Sequence, residues 1–101
     1  IFEYKSQLSK YRTNKLKHEL EKLLIIWKIY MEYTSSRPYL SSTTKEIQLF
    51  NKDIKTINSL KIIDKKIYSN DNKALESKDI NNLYKEAKKS FDNKLYEIKN
   101  G

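Results

Sequence analysis

Leu23-Leu-Ile-Ile-Trp-Lys-Ile-Tyr-Met-Glu-Tyr33 decides how this chain is read. Nine of these eleven residues are apolar or aromatic. The stretch is too short, and with Lys28 and Glu32 too charged, to supply the roughly 20 apolar residues that span a bilayer. It is also too long for an ordinary strand, so it reads as a buried or half-buried helix. Upstream, Leu16, Leu20, Leu23, Trp27 and Tyr30 recur at spacings that stack them on one helical face. Ile25, Ile29 and Tyr33 fall on nearly the opposite face, with Ile26 beside them. A surface helix needs only one apolar face. Either this helix is central and covered on both sides, or its second face binds something. Trp27 is accordingly assigned to the core, and Ile25, Ile29 and Tyr33 are the candidate partner-binding residues.

The helix extends from about residue 2 to residue 34. Ile1, Tyr4, Leu8 and Tyr11 form a second stripe, rotated by about 100° if the helix is unbroken. That offset implies a different neighbour or a break near Arg12–Thr13. Beyond Tyr33, Thr34-Ser-Ser-Arg-Pro-Tyr-Leu-Ser-Ser-Thr43 holds the only proline. Pro38 disfavours helix at Arg37, so the helix is predicted to stop before it. A second loop is predicted at Ser69-Asn-Asp-Asn72, a run of turn-forming residues.

Between the two loops, Thr43-x-x-Glu46 has the spacing of a capping box. Ile47, Phe50, Ile54 and Ile57 follow as a helical stripe. Leu60, Ile63 and Ile67 then drift around the helix, which predicts a kink near Asn58–Ser59 or a separate short helix at 60–68. Lys61 to Tyr68 read as a strand is the weaker alternative, because it has no partner strand. The last segment begins at a cap on Ser77 or Asp79. It carries Ile80, Leu83, Tyr84, Ala87, Phe91, Leu95 and Ile98 on one side, and Asn100-Gly101 is a fitting stop. Ala87, small and mid-stripe, allows a neighbouring helix to come close. The expected fold is all-α: one domain over residues 1–101, an up-down-up three-helix bundle, with a short fourth helix as the variant at 60–68.

Composition agrees with long elements. One Gly and one Pro in 101 residues leave too little turn punctuation for a sandwich or barrel. The absence of cysteine excludes disulfides, thiolate metal sites and cysteine catalysis. The lack of an initiator Met is read as a processed chain or a recombinant one, with any signal peptide already gone.

The +8 net charge invites a nucleic-acid reading. Yet Lys, Ile, Asn and Tyr, the residues that A/T-rich codons specify, make up 48 of the 101 positions, so codon bias accounts for much of the lysine. Only two basic residues, Arg12 and Arg37, are the arginines preferred for phosphate and guanine. The excess charge is spread along the chain, and Lys85, Lys88 and Lys89 lie largely away from the apolar stripe.

No catalytic residue, metal site or cofactor is assigned. His18 is the only histidine. With Arg12 it has the Arg-x(4–6)-His spacing of the HEPN-type ribonucleases, a resemblance of seven residues that implies an RNA-cleaving pair. Its ordinary reading is a solvated side chain between Lys17 and Glu19. Glu19 and Glu21, and Asp92 and Glu97, are better read as members of surface ion pairs with lysines one turn away. Metal binding lacks the ligand set, and Ser69–Asn72 lacks the Gly and bidentate Glu of a calcium loop.

Asn14-Lys-Leu-Lys-His-Glu-Leu-Glu-Lys-Leu-Leu24, Ala74-Leu-Glu-Ser-Lys-Asp79 and Glu86-Ala-Lys-Lys89 resemble phrases of the small lysine-rich three-helix modules that staphylococci secrete to bind immunoglobulin or complement. The resemblance covers about a fifth of the chain and implies a secreted or surface protein of a low-GC microbe rather than a cytoplasmic one. The sequence therefore predicts a non-enzymatic bundle acting through a protein partner or self-association. A nucleic-acid- or ribosome-associated protein is the alternative.

Overall fold

A computed structural model describes the backbone of residues 2–68 and 77–100 and the side chains of residues 17–68 and 77–100. Among them there are four helices and no strand: α1 (Phe2–Ser35), α2 (Thr44–Ile47), α3 (Ile54–Tyr68) and α4 (Ser77–Asn100). The chain is an all-α bundle of α1, α3 and α4, with α2 as a single turn against α3.

Cross-helix contacts fix the directions. Along the α1–α4 seam the Trp27 indole N–H donates to the Leu83 carbonyl at 2.9 Å, and Thr34 pairs with Ser90, hydroxyl to hydroxyl, at 2.6 Å. Both partners rise together, so α1 and α4 are parallel. Between α3 and α4 the numbering runs in opposite senses: Thr56 meets Glu86, while Ser59 meets Asn82 and Asp79. The bundle is up-down-up.

α1 is continuous through Arg12 and Thr13, so the break considered there does not occur. The side chains of the Ile1, Tyr4, Leu8 and Tyr11 stripe lie outside the described residues. The buried face of α1 is Leu20, Leu24, Trp27, Met31 and Thr34. This corrects the stripe read from the sequence: Leu23 and Tyr30 sit at its margin, because α1 packs into the angle between two helices and buries the arc facing both.

Helix α1 stops before Pro38, as expected. Ser36 takes a left-handed conformation, φ 62°, and its N–H bonds to the Glu32 carbonyl at 2.9 Å. Only glycine adopts this conformation without a steric cost of roughly 1–2 kcal/mol. Glycine's larger unfolded-state entropy offsets part of that gain. Ser36→Gly is therefore expected to stabilise the fold by about 0.5–1 kcal/mol, seen as a higher urea midpoint with unchanged slope.

The following loop is not merely polar. Tyr39 is buried, set edge-on to Trp27 at 5.6 Å and to Phe50 at 5.0 Å. Asn51 Nδ2 donates to its hydroxyl at 3.0 Å. Burial, the largest influence, pushes the Tyr39 pKa up despite that bond. Lys28, an apparent interruption of the apolar run, reaches the Ser42 carbonyl at 3.0 Å and ties the loop to α1.

The capping box at Thr43 and Glu46 forms as read. It opens only one turn of helix, which corrects the long stripe from Ile47 to Ile57. The chain leaves the helix after Ile47 and re-enters it at Ile54. Asn51 Oδ1 accepts from the Asp53 N–H at 3.0 Å, and the Asp53 carboxylate accepts from the Thr56 N–H at 3.1 Å. Short polar side chains that capture nearby N–H groups end one helix and cap the next. The Thr56 hydroxyl and N–H also hold the Asp53 pKa down. α3 then runs unbroken through Asn58 and Ser59, where a kink was predicted, and residues 61–68 are helix, not strand. Phe50 is only partly buried and Ile54 is exposed, while Ile57, Leu60, Ile63 and Ile67 fill the core.

In α4, Leu83 is buried and Ala87 packs against the core, as a small residue at a close approach should. Ser77 is already helical, and Asp79 lies in the first turn, buried, where its carboxylate accepts from the Ser59 hydroxyl at 3.2 Å. The loop predicted around Ser69–Asn72 lies outside the described residues.

Candidate protein-binding surface

α4 has 24 residues and its antiparallel neighbour α3 has 15. At 1.5 Å per residue the longer helix must overhang by about 14 Å. The overhang is the C-terminal end, since Thr56 near the start of α3 is already level with Glu86. From Phe91 onward α4 has no fully buried residue. The apolar stripe read on one side of α4 is thus only partly core: Ile80, Tyr84, Phe91, Leu95 and Ile98 are all exposed.

The reason is rotational. The buried residues of α4 are Asp79, Leu83 and Ser90, and Ile80, Tyr84 and Phe91 lie around the helix from them on the side towards α1. There α1 answers with Ile26, 63% exposed, and Tyr30, whose ring stacks on Phe91 at 6.4 Å. Together they wall an open apolar groove of about 560 Å³ along the parallel seam, with Trp27 and Leu83 as its floor and Lys88 and Asp92 on its rim.

Ile25, Ile29 and Tyr33 are 50%, 50% and 77% exposed. They lie on the far side of α1 from Trp27, which is buried as expected. Around the helix they are continuous with Ile26 and Tyr30, so the three residues picked from the sequence are the outer part of a surface whose inner part is the groove. Sequence reasoning missed the α4 contribution. The signal that could have found it is Asn51 and Asp53, whose side chains cap the start of α3, shorten it to 15 residues and leave the 24-residue α4 longer than its neighbour.

His18 is exposed, and the Arg12 side chain lies outside the described residues. Glu19, Glu21, Asp92 and Glu97 are exposed as well. Among the described residues, no three histidine or acidic side chains come together as a metal ion would require. No described helix is long and apolar enough to cross a membrane. The fold and the surface define an all-α helical bundle with an uncovered apolar face. No protein-family model, curated protein or solved structure matches this chain.

Proposed function

We propose that this protein is a non-enzymatic binding module that acts by protein–protein contact through the apolar face of α1. One observation carries the reading: Ile25, Ile29 and Tyr33 stand exposed on a helix whose opposite side already holds the core. Contiguous apolar surface of this kind costs solubility and is kept where a partner covers it. The groove beside it adds shape, with aromatic walls suited to apolar anchors.

Ile29→Glu tests this. Since Ile29 is half exposed, the variant is expected to keep its helical circular dichroism and to lose no more than about 0.5–1 kcal/mol of stability. Its partner contact should weaken at least tenfold, because the carboxylate would be desolvated in the interface. The measurement is paired capture from serum and from cell extract on wild-type and Ile29→Glu resin, scored by the proteins lost. Unfolding of Ile29→Glu would place this face in the core, and identical capture by both resins would remove it from any interface.

A further inference from the structure

The apolar stripe on α4 is nearly symmetric about its own middle. Its residues are spaced 4, 3, 4, 4 and 3 apart from Ile80 to Ile98, close to the alternation that lets two helices interlock. Read backwards about a point level with residues 89–90, the pattern nearly repeats itself. Ile80 then stands opposite Ile98, Tyr84 opposite Leu95, and the small Ala87 opposite the large Phe91. Flanking the stripe on the groove rim, Lys88 falls opposite Asp92. We propose that the partner on this face is a second copy of this chain, with the two α4 helices antiparallel about a two-fold axis near residues 89–90. The proposal goes beyond the protein-binding reading of the α1 face, because the pairing lies on the adjoining groove and α4 stripe.

Three features of the molecule favour this occupant over a foreign helix. The first is reciprocity. The overhanging end of α4 carries Leu95 and Ile98, 37% and 67% exposed, and Ile80 and Tyr84 wall the open groove. Antiparallel pairing puts the overhang of each copy into the groove of the other, so one contact made twice covers both exposed regions. Such an isologous interface closes at two copies.

The second is charge. Two like-charged chains of +8 repel, but the contact itself is self-complementary: each Lys88 meets the Asp92 of the second copy. The third is size. At about 200 Å² for a whole side chain, the exposed fractions of the α4 stripe with Ile26 and Tyr30 amount to about 700 Å² per copy. A stable complex buries about 600–1,000 Å² per partner.

Sedimentation and light scattering of the intact chain across the micromolar range test the pairing. The mass is expected to rise from 12.1 kDa to twice that value. Leu95→Asp should weaken the dimer by on the order of a hundredfold while keeping its helical signal, since no fully buried contact is lost. Lys88→Asp and Asp92→Lys, each of which turns two attractions into two repulsions, should weaken it about tenfold. The double variant Lys88→Asp/Asp92→Lys should recover wild-type affinity to within a few-fold, because both pairs are restored with reversed sign. These last two positions are exposed, so the exchange remains decisive even if Leu95→Asp perturbs α4.

The chain has no cysteine, which allows a second readout of register. Lys88→Cys mixed with Asp92→Cys should oxidise to a covalent heterodimer faster than either alone. A wild-type chain that stays at 12.1 kDa overturns the proposal. So does a dimer untouched by Leu95→Asp, or a double exchange no tighter than its single parents. A monomer whose serum or extract capture is still lost on Ile29→Glu overturns the self-pairing alone and leaves a foreign partner on the face. A dimer broken by Ile29→Glu but not by Leu95→Asp pairs through α1 instead.

Discussion

Trp27→Ala is expected to cost about 3–5 kcal/mol of folding stability. The indole is 6% exposed and lies between α4 and the loop that carries Tyr39. It supports Tyr39 edge-on at 5.6 Å, floors the α1–α4 groove, and donates its N–H to the Leu83 carbonyl at 2.9 Å. Truncation empties the largest volume in the core and leaves the loop residue Tyr39 without its platform. For a domain of this size each kcal/mol is worth about 4–8 °C, so the melting midpoint should fall by about 12 °C or more. Circular dichroism is the fitting probe, because the protein's only tryptophan is the residue removed. A loss below about 1 kcal/mol would mean that the seam between α1 and α4 is not packed around the indole.

Leu60→Ala is expected to cost about 2–5 kcal/mol, and Ile54→Ala less than about 0.5 kcal/mol. The two leucine-sized residues sit on the same helix. Leu60 is fully buried, whereas Ile54 is 74% exposed. The pair tests the register of α3 directly. A continuous helix from Thr44 through Ile57 would turn Ile54 inward beside Ile47 and Phe50. The break at residues 48–53, with Asp53 as the cap of α3, turns Ile54 outward. Urea denaturation of both variants separates these arrangements, and comparable losses at the two positions would restore the continuous helix.

Much of the fold was legible because it depends on local chemistry. Pro38 forces the end of α1, the hydroxyl and carboxylate of Thr43 and Glu46 satisfy a helix start, and the near-absence of glycine and proline leaves helix as the only long element. The caps on Asn51 and Asp53 are equally local, but the apolar stripe that spans them masks two short polar side chains. The surplus of apolar residues around one helix singled out Ile25, Ile29 and Tyr33, but left open whether a neighbouring helix covers them.

By itself, then, the sequence determined the class of fold, the boundaries of α1 and the two apolar faces that α1 carries. These follow from the helical period and from which residues can begin or end a helix. Only the tertiary structure decided how far each stripe is covered. The exposure of Ile80, Phe91, Leu95 and Ile98 depends on α4 outrunning α3 and on its rotation against α1. The burial of Tyr39 likewise depends on where the loop meets Trp27. A stripe states what a helix is able to bury; whether it does is set by the length, direction and rotation of the neighbour packed against it.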